Sequence, residues 1–271
     1  RERRHELAEH RGISFLGRRF VNTELKDYVL AFGFLIIALI SPILSSIADY
    51  KGNKKNFMRF FCYLGATSCS LMFLFDSDHI TLGLMCFMFA GIGFYGSQVF
   101  YNSYLPDIAA EEDMDRISAR GYTMGYIGSV LMQMVGFALV MFMEDKQMAL
   151  KITFLLVGIW WVGFAQFTFS RLPSIPKKER QARRHVLVNG FHELTLVFRQ
   201  VRTMPVLKRF LGAFFFYNMG VQTVMLVAID FGIKELKLPD DRLIIVAVMI
   251  QLVAIAGARR TTCTAANRSG R

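Results

Sequence analysis

Charge is missing from most of this 271-residue chain, although Lys, Arg, Asp and Glu together make up 20% of it. Blocks at 28–48, 79–103, 121–143, 152–170 and 210–229 hold none of the four. Two further blocks are less clean: 56–75 carries Arg59, and 243–258 stops against Arg259 and Arg260. With 54% hydrophobic residues gathered into such runs, a soluble globular domain is excluded. A bilayer core about 30 Å thick is crossed by about 20 apolar helical residues. The chain is therefore expected to be an all-α integral membrane protein with about seven transmembrane helices.

Cysteine is also scarce. Cys62, Cys69, Cys86 and Cys263 form no CxxC pair, and three of them lie inside apolar blocks, where a small soft side chain packs well. That leaves no disulfide or metal framework. Histidine offers no catalytic cluster, since His79 sits at the edge of a span and His185 and His192 lie in a polar stretch. No cofactor and no enzyme activity are expected. Gly91, Gly93 and Gly96 spell GxGxxG, but no strand precedes them, so a nucleotide site is excluded.

The net charge of +11 does not point to nucleic acid, because the basic residues crowd between the spans and so report topology. The segment after the first span holds Lys51, Lys54 and Lys55, whereas the next has Asp76 and Asp78 and no basic residue. Segment 171–209 carries ten Lys or Arg against Glu179 and Glu193. Both basic segments are expected on the cytoplasmic side. Residues 1–27 disagree, with seven Lys or Arg on the side that parity makes external. Either they are foreign to the protein, the favoured reading, or the span count is off by one; the tail 259–271, where the hydrophobic pattern stops in mid-helix, reads as foreign too. The expected organisation is thus a basic segment 1–27, five spans over 28–170, a basic linker 171–207, two spans over 208–258 and an aberrant tail 259–271. Within the linker, Val186–Arg202 places Leu187, Phe191, Leu194 and Phe198 on one helical face, suited to a membrane surface.

Five spans, a cytoplasmic linker and two more spans match a major facilitator transporter that lacks its first helix and most of its second half. Ser45–Lys55, SSIADYKGNKK, resembles the superfamily's loop signature GxxxDRxGRR. Asp49, Gly52 and Lys54 match and Lys55 follows, while Ser45, Tyr50 and Asn53 depart from it. YNSYLPDIA at 101–109, ISARGYTMGYIGS at 117–129, FLLVGIWWVGFAQFTFSRLP at 154–173 and FFFYNMGVQT at 214–223 are similar to the branch that holds the yeast autophagy-linked vacuolar amino-acid effluxer and its bacterial relatives. The resemblance implies a partial major facilitator fold and secondary active transport of a small solute, amino acids among them, by alternating access. It implies a multi-pass protein of a cell inner membrane whose partners are the lipid bilayer, a small-molecule substrate and a coupling ion. The chain as it stands is expected to be an inactive fragment. A seven-helix receptor or another non-transporting membrane protein is the alternative.

Polar side chains inside hydrocarbon need a partner or a water-filled cavity. Gln98 and Asn102 share one face of the third span, and Asn218 and Gln222 share one face of the sixth. Each pair reads either as substrate pathway or as interhelical hydrogen bonding. Gln133 and Gln166 stand alone in their spans and read the second way. By resemblance the sixth span is superfamily helix 7, which lines the cavity. Met219 stands there where many relatives have an acid, so no carboxylate for a coupling proton is present at that position. The resemblance also implies that Asp49, Gly52, Lys54 and Lys55 form a cytoplasmic gate, with Asp49 meeting a helix N-terminus of the other half. Gly91, Gly93 and Gly96 in the third span, and Gly121, Gly125 and Ser129 in the fourth, are expected to pack helices closely. The acidic stretch Asp107–Asp115 is expected to be a solvated loop in which Arg116 and Arg120 find partners.

Overall fold

The computed structural model describes residues 13–15, 18–20, 22–51, 53–76, 80–173, 195–196 and 198–269. A small antiparallel hairpin, β1 (Ile13–Phe15) and β2 (Arg18–Phe20), pairs Ile13 with Phe20 and Phe15 with Arg18. Seven long helices follow among the described residues. They are α1 (Asn22–Lys51), α2 (Lys54–Leu71), α3 (Ile80–Ser103), α4 (Met114–Phe142), α5 (Lys146–Arg171), α6 (Pro205–Lys234) and α7 (Asp240–Ser269). Their ends follow local chemistry. Asp145 caps α5 by accepting from the backbone N–H groups of Gln147 at 2.9 Å and Met148 at 3.1 Å, the ordinary role of an N-cap carboxylate. Pro205 opens α6, where its missing N–H costs nothing. Past the other end of α6, Lys237 takes a positive φ of 48°, Leu238 N–H bonds Gly232 O at 3.0 Å, and Pro239 precludes continuation.

Contacts group the chain into two units. The first comprises Arg1–Tyr104 and Gly136–Gly190, the second Leu105–Val135 and Phe191–Arg271. In the first, α2 is the central element, with α3 on one side and α5 on the other. A Cβ added to Gly93 of α3 would run into the backbone of Gly65 in α2 and lie 2.7 Å from Phe61 O. On the other flank a Cβ on Gly158 of α5 would lie 2.8 Å from Ala66 O. Lipid gives helices no hydrophobic reason to associate, so such close backbone approach is what allows dispersion contacts to hold them. Around this seam Phe100 is buried and stacks on Phe57 and Phe61, with ring centres 5.5 and 5.9 Å apart. Cys62, Cys69 and Cys86 are buried free thiols there; Cys69 lies 3.6 Å from Phe154 O.

The second unit is looser. On α6, Phe210, Phe214, Phe215, Phe216 and Tyr217 are all exposed, and a Cβ on Gly212 or Gly220 would meet nothing within 4 Å. Gly232 approaches Leu243 where α6 turns into α7. Arg116 pairs with Asp113 at 2.9 Å, so one of the two arginines expected to serve the acidic stretch does so.

Several expectations change. Five helices are long and apolar enough to cross a membrane: Asp27–Ser45, Lys54–Leu74, Ile80–Ser103, Glu111–Phe142 and Lys146–Arg171. The remaining two of the seven expected spans are not confirmed among the described residues. The seventh expected span shrinks to Ile245–Gly257 among the described residues, short of the roughly 20 residues a crossing needs. The sixth falls in α6, several of whose side chains lie outside the described residues. Ser45–Lys51 is not a loop but the last two turns of α1, since neither Pro nor Gly stands between Ser45 and Lys51. The backbone of α7 stays helical through the suspect tail to Ser269, because polar residues such as Arg and Thr end a hydrophobic pattern without ending a helix. The amphipathic reading of Val186–Arg202 lies mostly outside the described residues, although 198–203 is helical.

Candidate functional site

Within the first unit, the signature lysines tie helix ends together. Lys54 and Lys55 open α2, and Asn53 N–H bonds Ala48 O of α1 at 3.0 Å. Lys54 Nζ donates to Ser103 O, the last residue of α3, at 3.3 Å. Lys55 Nζ donates to Leu172 O, just past α5, at 2.9 Å. The final carbonyls of a helix carry partial negative charge and lack intrahelical donors. Two adjacent ammonium groups thus close two helix C-termini beside a third, so one membrane face of the unit is bound into a single cluster. Asp49 lies in α1, and its side chain, like Gly52, falls outside the described residues.

Gln98 on α3 is half-buried and Asn102 exposed, while Asn218 and Gln222 on α6 are both exposed. Among the described residues none of these four side chains has a hydrogen-bond partner. The two lone glutamines do. Gln166 Nε2 donates to Tyr63 OH at 2.5 Å, linking α5 to α2. Gln133 accepts from Gln251 Nε2 at 2.9 Å, linking α4 to α7 inside the second unit. Gln251 was not singled out by sequence reasoning. Its signal was there, as an uncharged polar residue in an apolar run of the kind that flagged Gln133. Its own Oε1 is buried without a partner, so the pair retains one acceptor.

The small residues divide. Gly91 sits in ordinary contact with Leu30 at 3.6 Å, whereas the tight approaches are at Gly65, Gly93, Gly96 and Gly158. Gly125 has open space where a Cβ would be, and Ser129 Oγ bonds back to Gly125 O at 3.0 Å within its own helix. Gly121, one turn earlier on α4, is half-buried.

The family described as "Vacuole effluxer Atg22 like" matches residues 8–268. The chain belongs to this Atg22-like family. It is 30% identical over 240 residues to a Bacillus subtilis protein called an uncharacterized MFS-type transporter, YxiO, covering 86% of this chain and 55% of that one. Autophagy-related protein 22-1 of Penicillium rubens is 20% identical over 317 residues, covering 91% of this chain and 54% of the relative. Autophagy-related protein 22 of Yarrowia lipolytica is 20% identical over 350 residues, 98% of this chain and 59% of the relative. No solved structure matches. The chain spans about half the length of the curated relatives it matches. As a member of the Atg22-like family it is a multi-pass membrane protein, and the family and the Bacillus relative are named as effluxer and transporter rather than as enzymes.

Proposed function

We propose that the protein takes part in secondary active transport of a small polar or zwitterionic solute, amino acids foremost, by alternating access across a bacterial cytoplasmic membrane. The membership of residues 8–268 in the vacuole effluxer family carries this reading. Alternating access rocks one helical half against another about a site near the midplane. Asn218 and Gln222 are the proposed pathway residues of α6, and Gln98 and Asn102 those of α3. All four lack partners among the described residues, which is the condition in which a polar side chain inside a bilayer needs a cavity. The greater identity to the Bacillus relative than to the fungal ones supports the bacterial membrane. A seven-span count is part of the proposal, with α6 and α7 completing crossings beyond the five.

The 271 residues alone are proposed not to complete a transport cycle, since they correspond to about half of each relative. Two experiments address these points. A reporter fused after Lys178 is expected to read as cytoplasmic and one near Asp78 as external; external signal at Lys178 overturns the orientation. Purified chain in liposomes is expected to show no saturable amino-acid counterflow above protein-free vesicles, and saturable flux would refute the proposed inactivity of the 271 residues.

A further inference from the structure

Arg59 is a charged residue inside an apolar span, and nothing in the proposed transport route uses it. It is the middle rung of a polar ladder along one face of α2. Lys55, Arg59 and Tyr63 follow at four-residue spacing, each step rising about 6 Å along the helix. Opposite them, antiparallel α5 presents the Leu172 carbonyl, the Phe169 ring and the Gln166 amide. The rungs meet in order. Lys55 Nζ donates to Leu172 O at 2.9 Å, the Arg59 guanidinium lies 5.3 Å from the centre of the Phe169 ring, and Gln166 Nε2 donates to Tyr63 OH at 2.5 Å. Phe169 is 2% exposed and also meets the Tyr63 ring edge-on at 6.2 Å, so it forms a fixed floor. Tyr63 and Gln166 are exposed, as are Phe60 one turn before Tyr63 and, next to Gln166, Phe167, whose ring carries the Arg171 guanidinium 5.5 Å from its centre. The groove therefore opens outward.

We propose that this groove between α2 and α5 binds the headgroup and glycerol backbone of an anionic phospholipid. The donor inventory fits that ligand. Stacking on a ring uses none of the five guanidinium N–H groups, and Lys55 has spent one of its three. Two cations thus stand at the membrane boundary with donors to spare, in the geometry a phosphodiester takes from Arg and Lys. Tyr63 accepts from Gln166 and keeps its own proton to donate, one helical turn deeper, where the ester carbonyls of a lipid lie below its phosphate. The apolar flanks suit the first segments of the acyl chains. A basic cleft between transmembrane helices at a positively charged membrane face is a recognised headgroup environment. An arginine that only snorkels to water would need neither the ring floor nor the phenol–amide pair beneath it.

The test is to synthesise the 271-residue chain directly into nanodiscs of equal parts phosphatidylglycerol and phosphatidylcholine, and to measure by native mass spectrometry which lipids stay bound on release. Wild type is expected to retain phosphatidylglycerol over phosphatidylcholine. Arg59→Gln is expected to lower that preference about tenfold, the loss of one charge-assisted bond. Tyr63→Phe, which keeps the ring and the fold, is expected to lower retention of both lipids about threefold. Lys208→Gln on α6 is expected to change nothing. Soluble glycerol phosphate is expected not to displace the lipid. Equal retention of both lipids by wild type, an unaltered Tyr63→Phe or Arg59→Gln profile, or displacement by glycerol phosphate would each overturn the proposal.

Discussion

In the first unit a methyl group added at Gly93 or Gly158 would collide with backbone, whereas at Gly125, Gly212 or Gly220 in the second it would meet nothing within 4 Å. Both units are helical and rich in apolar residues, so composition does not separate them. What separates them is whether small residues on one helix face small residues on the next. In lipid, apolar side chains are as well solvated by acyl chains as by one another, and association depends on fit and on interhelical hydrogen bonds. The first unit has fit, at Gly65 against Gly93 and at Gly158 against Ala66. Among the described residues the second has the amide pair of Gln133 with Gln251 and an α6 exposed along most of its length.

The largest expected effect follows from that contrast. Gly93→Ala places a carbon against main-chain atoms of Gly65 and Phe61, which cannot rotate aside, and is expected to cost about 3 kcal/mol, the upper end for overpacking. Gly220→Ala is expected to stay within about 0.5 kcal/mol. Reversible unfolding in mixed micelles measures both, and equal effects would erase the distinction between the units. A smaller effect is expected at the start of α5. Asp145→Ala removes the acceptor for two backbone N–H groups and is expected to destabilise the first unit by about 1 kcal/mol, with Asp145→Asn retaining most of it. The smallest concerns the amide bridge. A double-mutant cycle on Gln133→Leu and Gln251→Leu is expected to return a coupling of about 0.6 kcal/mol; zero coupling would remove this polar tie between α4 and α7.

The helices themselves were legible because hydrocarbon imposes a length and disfavours charge; four of the charge-free runs fall in helices long and apolar enough to cross, and the fifth such helix, α2, carries Arg59. Their partners were less so. GxGxxG marked α3 as a packing helix, but periodicity does not say how close each glycine comes to a neighbour: Gly93 and Gly96 make the tight approaches, and Gly91 is in ordinary contact with Leu30. Gly121, Gly125 and Ser129 have the same i, i+4 spacing, yet Ser129 satisfies itself on its own backbone. The lysines of the signature read as topology signals, because a positive-inside pattern carries no information about which carbonyl an ammonium meets. Gln166 and Gln133 were readable as interhelical donors or acceptors; Tyr63 and Gln251 as their partners needed three-dimensional register. The helical turns at Ser45–Lys51 were mistaken for loop because a family signature known as a loop was laid over residues with no helix breaker.

The central claim is that the polar face of α6 serves solute passage, and the most direct measurement is amino-acid counterflow in liposomes with the chain continued to the length of its Bacillus relative. Saturable counterflow is expected, reduced about tenfold by Asn218→Ala and by Gln222→Ala, equivalent to about 1.4 kcal/mol each, with membrane insertion intact. Undiminished counterflow in both variants would contradict the account and assign Asn218 and Gln222 to helix packing.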